Sequence, residues 1–337
     1  MRRIFILIIF IVLTFPLFGK KTVIKLATLA PDGSEWYYML VDLGQQWENA
    51  TDGRVKLRIY PGGVIGDERD MIRKMRIGQI HGAAITAEGL SELNPDFYMF
   101  FVPLLLESYD EVDFIRSKLK DELYSGIRSN GFELMMINDV GWVYWFTTQP
   151  IKHPDDLKNH KIFSWAGDYK FSEIWEKAGY QSVPLSSIDI LPGLQTGLID
   201  AISSNPQFAL AQQMLGICNH MLDLKWGLLT GGVVLDSRIF ANIDSKDKEE
   251  MLKISEEFEK QYQATLRHRD QEAIEVMKNY NLVVNQLKDE EKNNWYTIVD
   301  DWYPSIRDIF TNPEFFDKVV DLKKSYKKKI EQLDESD

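Results

Sequence analysis

The 337-residue chain has a single cysteine, Cys218, so no internal disulfide can form and stability must come from a buried core. A lone thiol of this kind reads as a small apolar filler. The five histidines (His81, His153, His160, His220 and His268) never fall at metal-ligand spacing such as His-Glu-x-x-His. No Walker loop, Gly-x-Gly-x-x-Gly turn or Gly-x-Ser-x-Gly elbow is present, so neither a cofactor nor an enzymatic reaction is expected. Positive charge is scarce: 39 Lys and Arg against 51 Asp and Glu give a net charge of −12. That balance excludes nucleic acid and anionic membrane surfaces as partners, since both reward basic patches. Long apolar runs are equally scarce. The one at Ile4 to Phe18 is interrupted by Pro16 and is shorter than the roughly 20 residues a membrane span needs. Placed after Arg2-Arg3 and before Lys20-Lys21, it reads as a secretory signal cleaved near Gly19, with a retained N-terminal anchor as the other reading.

What remains is the composition of an ordinary globular protein, 45% hydrophobic and 27% charged, at a length suited to about two domains. Val23 to Thr28 reads as a strand. Asp32 and Glu35 form a capping-box pattern ahead of a helix from Ser34 to Trp47, with Trp36, Leu40, Leu43 and Trp47 along one face. Val55, Leu57 and Ile59 alternate in a second strand. A helix over Asp67 to Ile77 and a small apolar strand over Ile80 to Thr86 follow. Strands alternating with helices predict an α/β architecture. Glu88 stands at a strand end, where open α/β sheets place ligands. Phe97 to Leu106, broken by Pro103, reads as a buried segment on a cleft floor. Gly141 to Thr147 carries large rings on both faces, so both faces should be covered. From Ser245 the charged, periodic sequence predicts a helix of some 35 residues.

The stretch from Pro150 to Pro206 is the most informative. Lys161-Ile162-Phe163-Ser164-Trp165 is a strand with Lys161, Phe163 and Trp165 on one face. Phe171, Ile174, Trp175 and Ala178 mark an amphipathic helix that Gly179 stops. Ser186 with Asp189 suggests a cap, and Pro192 requires the next helix to start late or kink. Together with Pro154-Asp155-Asp156-Leu157-Lys158 and Leu194-Gln195-Thr196-Gly197-Leu198-Ile199-Asp200, this stretch resembles the solute-binding subunits of tripartite ATP-independent periplasmic (TRAP) transporters. The resemblance extends to Asp52-Gly53-Arg54-Val55, Tyr60-Pro61-Gly62-Gly63, Ile65-Gly66 and Ile77-Gly78-Gln79-Ile80, and so covers most of the chain.

The resemblance implies two discontinuous α/β domains joined by hinge strands and a long helix, as in periplasmic binding proteins. Their expected bounds are 20–140 with 230–275, and 141–229 with 276–337. It also implies a periplasmic protein that hands a small molecule to TRAP membrane permease subunits. A subgroup sharing the Gly-Leu-Ile-Asp-Ala and Gly-Gly-Val-Val segments makes a periplasmic tetratricopeptide-repeat protein a candidate partner. One departure bears on the ligand. The Arg that grips the ligand carboxylate in that family is Phe163 here, and a second basic position aligns with Tyr144. Loss of one partner from a desolvated charge pair costs about 2–5 kcal/mol. A hydrophobic or amphiphilic ligand is therefore expected, held by Trp36, Trp142, Tyr144, Trp145, Phe163, Trp165 and Trp226, with Glu88 and Asn205 as polar contacts. The same rings have a plainer use as packing for the hinge and the domain cores. An organic-acid binder using donors other than Arg, and a ligand-sensing module for a membrane receptor, are the alternatives.

Overall fold

A computed structural model describes residues 21–309 and 312–334; the expected signal segment lies outside them. Ten strands form one twisted mixed sheet: β1 (Thr22–Thr28), β2 (Val55–Tyr60), β3 (Gly82–Thr86), β4 (Phe132–Thr147), β5 (Lys161–Trp165), β6 (Gln181–Leu185), β7 (Ala201–Ser204), β8 (His220–Leu222), β9 (Gly227–Asp236) and β10 (Val283–Asn285). The path runs β2-β1-β3-β9-β4-β7-β5-β6, and β8 joins β4 to β10. Parallel pairs such as β1–β2 and β5–β6 are linked by helices, as crossovers between parallel strands require.

The division into two domains follows from one long strand. Over Phe132 to Val143, β4 pairs antiparallel with β9 in the first domain; from Tyr144 to Thr147 it pairs with β7 in the second. Its register slips between Asp139 and Gly141. Gly141 sits at φ +140°, and a Cβ there would lie 2.3 Å from the Asp270 carboxylate, so only glycine fits this bend. Asp270 in turn accepts the Trp142 N–H at 2.9 Å.

Asp270 belongs to a helix of 35 residues, Ser245–Asn279, whose length matches the expectation from its periodicity. Its N-terminal half packs on the first domain: Trp47 Nε1 donates to the Met251 carbonyl at 3.2 Å, and Phe258 and Met251 are buried with Leu40 and Leu43. Farther along, Gln207 of the second domain donates to Asp270 at 3.1 Å. The helix thus bridges both domains.

Local details bear on three readings, overturning the first and deciding the second between its alternatives. The Glu35–Ala50 helix is capped by Ser34, whose Oγ accepts the Tyr37 N–H, and not by Asp32. Pro192 is the third residue of the Ile190–Thr196 helix, where a missing N–H costs nothing, so that helix starts late and does not kink. The rings Trp145, Trp175, Trp226, Trp295 and Trp302 pack against one another, mostly edge to face, with centroids 5.2–6.3 Å apart in the second-domain core. No helix among the described residues is long and apolar enough to cross a membrane.

Candidate functional site

Between the domains lies a cleft lined by residues of both. Its first-domain wall comes from the ends of β1 and β3 and from Trp36, Met39 and Leu40 of the Glu35–Ala50 helix. Its second-domain wall comes from Phe163 and Trp165 on β5, Ile202 to Ser204 on β7, then Asn205 and Phe208. The floor is the crossing part of β4 (Asn138, Asp139, Val140, Val143) with Leu229 to Val233 of β9. Alternation along β5 explains why Phe163 and Trp165 share this wall; their rings meet edge to face at 5.0 Å. Phe101, at the end of the buried Pro95–Phe101 turn, also reaches the cleft.

Of the residues expected at a ligand, Trp36, Phe163, Trp165 and Asn205 line this cleft. Five others do not. Trp145 and Trp226 are buried in the second-domain core, where their rings meet edge to face at 5.5 Å. Trp142 packs on Tyr109 with Lys225 over its face, and Tyr144 is buried beside the cleft without lining it. Glu88 is drawn into a polar cluster instead. It pairs with Arg69 at 2.7 Å, and the Tyr98 hydroxyl lies 2.9 Å from Glu88 and 2.8 Å from Asp168.

That cluster ties the domains together. Tyr98 and Glu88 come from the first domain, whereas Asp168 caps the Tyr169–Lys177 helix of the second. One phenol proton cannot serve two carboxylates, so one carboxyl of the pair carries a proton. In agreement, burial and the neighbouring Asp168 push Glu88 up to about 8. A second tie joins Asp67 to Ser187, whose N–H and Oγ donate to Asp67 Oδ1 at 3.2 and 2.6 Å.

Sequence reasoning passed over Asn138, Asp139 and Glu68. Glu68 lines the cleft, yet both its oxygens are used: Thr86 N–H and Oγ1 and the Gly89 N–H donate to it at 2.8–2.9 Å. Burial raises it to about 7. Asp139 is wholly buried between Arg116 and Arg267, and Arg267 also pairs with Asp113. The polar pair Asn138-Asp139 inside an otherwise apolar strand was the available signal. Among the described residues, the cleft is lined by no Lys, Arg or His, and no three His, Cys, Asp or Glu side chains are grouped to hold a metal ion. Cys218 is buried, which pushes its thiol up to about 12 and fits a packing role.

A family model described as bacterial extracellular solute-binding protein, family 7, matches residues 26–308. The chain is 26% identical over 194 residues to a solute-binding protein of Roseobacter denitrificans, covering 56% of this chain and 58% of that one, so it spans less than two thirds of that relative. Its fold is similar to that of a TRAP periplasmic solute-binding protein of Desulfovibrio desulfuricans with bound sn-glycerol-3-phosphate. The TM-score is 0.82 at 18% identity, over 91% of this chain and 97% of that one. It is also similar to a TRAP periplasmic solute-binding protein of Sulfurospirillum deleyianum with bound succinate, with TM-score 0.81 at 16% identity, over 89% and 98% of the two chains.

Proposed function

Because the chain belongs to the bacterial extracellular solute-binding proteins of family 7, we propose that it captures a solute in the interdomain cleft by hinged closure and delivers it to a TRAP-type membrane permease. The process is binding and release, with no covalent step. The two domains are taken as 20–140 with 230–275, and 141–229 with 276–337, turning about β4 and β9. A periplasmic location follows from this role, and a tetratricopeptide-repeat protein is the further partner in the reading.

The solute is apolar or amphiphilic. The observation that carries this is Phe163 on the cleft wall where the resembled family has an arginine, within a lining that holds no cation. Each large ring in such a wall buries about 150 Å² or more of apolar surface against a ligand, worth up to about 4 kcal/mol per ring. A second reading, an organic-acid binder using other donors, is favoured by the fold relatives that carry glycerol phosphate and succinate. Thermal denaturation against a panel of C4-dicarboxylates, sugar acids and medium-chain amphiphiles separates the two. A ligand at one hundred times its Kd stabilises the native state by about 2.7 kcal/mol. A rise in Tm with amphiphiles alone supports the first reading, and a rise with dicarboxylates alone supports the second.

A further inference from the structure

Beside the cleft, three oxygens drawn from the two domains meet. The Tyr98 hydroxyl lies 2.9 Å from Glu88 Oε2 and 2.8 Å from Asp168 Oδ2, and both Tyr98 and Asp168 are buried. Each carboxyl is fixed through its other oxygen by a group of its own domain. Glu88 Oε1 faces Arg69 at 2.7 Å, and Asp168 Oδ1 accepts the Phe171 N–H at 3.2 Å as the cap of its helix. The second oxygen of each is thereby left to the phenol, one from either side of the domain boundary. The two sides sit close here: Arg69 Nη1 donates to the Ala166 carbonyl at 3.4 Å, and a Cβ on Gly167 would lie 2.7 Å from that nitrogen.

Two oxygen–oxygen contacts of this length need two protons, and the phenol supplies one. The carboxyl pair holds the other and shares it as a unit. The charged groups around the pair do not remove that need. Glu68, on the helix that carries Arg69, and Glu92, on the helix that carries Glu88, add negative charge on the first-domain side. Among the described side chains, Arg69 is the cation facing the cluster, and it is divided between Glu88 and Glu92 at 2.7 Å each. Burial and the neighbouring Asp168 accordingly push Glu88 up to about 8, and burial raises Asp168 as well. Parted and hydrated, both carboxyls return to ordinary values of about 4 and are ionised at neutral pH.

We propose that Glu88, Tyr98 and Asp168 form a proton-loaded latch, in which the carboxyl pair takes one proton from solvent as the domains meet and returns it when they part. This rests on the reading of the chain as a hinged clamp and adds a control to that clamp. The sign follows from which form binds the extra proton. Closure is favoured where protons are plentiful, so acid surroundings hold the clamp shut and alkaline ones loosen it. With one proton at stake, the closed-to-open ratio falls by up to about tenfold per pH unit from about pH 5 to about pH 8, then levels.

The test is small-angle scattering on the full chain, freed of co-purified solute by unfolding and refolding, between about pH 5 and about pH 9. The expected result is a radius of gyration that grows with pH in the parent chain. In Glu88→Gln the side-chain amide donates to the phenol oxygen without a proton from solvent, so the radius should stay at its compact value throughout. Asp168→Asn acts in the same way and keeps its helix cap, so it decides the matter should the first variant not fold. Asp270, which packs on the hinge strand and is raised to about 7 by burial, is retained in both variants, and this separates its titration from the latch. A radius that ignores pH in the parent chain, or a pH response that survives in the variants, would overturn the latch. Contraction on adding a C4-dicarboxylate, a sugar acid or a medium-chain amphiphile would in that case leave the clamp standing. A radius moved by neither pH nor any of those solutes would overturn both.

Discussion

At the residue scale the distinction that matters is between rings on the cleft wall and rings in the core. Trp165 and Trp226 both looked like ligand contacts in the sequence. The structure puts Trp165 in the lining and Trp226 at the centre of the tryptophan cluster. Trp226→Ala should therefore destabilise the fold by about 3–5 kcal/mol in chemical denaturation, as large-to-small core changes do. Trp165→Ala should leave stability within about 1 kcal/mol but weaken solute binding at least tenfold by fluorescence titration. The sequence could not assign Trp226, because it precedes β9 outside any strand and no alternation fixes the side its ring takes. On β5, where alternation applies, the shared face of Phe163 and Trp165 was legible. Titration offers a second test at this scale. Burial raises Glu68 and Asp270 to about 7 and Glu88 to about 8. Each keeps a proton in the folded chain that the unfolded chain loses above its ordinary value. Their stabilising contribution is thus complete below about pH 4.5 and is lost as pH rises through 7–8. Below that range the reverse holds for Glu107 and Asp236, held low by Lys323 and Arg238 despite partial burial. Tm should peak near pH 5 and fall by several degrees towards pH 8, and Glu68→Gln should flatten that fall. A Tm rising steadily from pH 5 to 8 would contradict the assignment.

At the scale of elements, the long helix, the alternating strands and the late start imposed by Pro192 could all be read from local pattern, since each is set by periodicity or by one residue's missing N–H. The part of β4 before its aromatic run could not. Asn138-Asp139 earns its place through partners 120 to 130 residues away on the long helix, Glu259 and Arg267, and no local signal identifies them. The same distance effect makes Gly141 the weak point of the hinge strand. Gly141→Ala forces a left-half backbone angle on a residue with a Cβ and drives that atom into Asp270. A loss of more than about 2 kcal/mol is expected. Asp270→Ala in the same background should recover part of it by relieving the overlap. Equal stability of Gly141→Ala and the parent chain by denaturant titration would show that the bend relaxes in solution.

For the whole molecule, Tyr98 with Glu88 and Asp168, and Asp67 with Ser187, are among the hydrogen bonds that link the two domains. Removing the Asp67 acceptor costs hydrogen bonds worth about 1 kcal/mol net, or roughly fivefold in the closed-to-open ratio. Asp67→Ala should accordingly show a larger radius of gyration by small-angle scattering without solute and return to the parent value at saturation. The architecture itself was legible from motif order, since strand, helix and turn signals recur in a fixed sequence. The ligand was not, because it is decided by which side chains two distant halves bring to one cleft. The most direct measurement is mass spectrometry of the molecule released on denaturing the protein as purified from its native host. An apolar or amphiphilic solute near one per chain is the predicted result; a small dicarboxylate or sugar acid at that ratio would contradict the account.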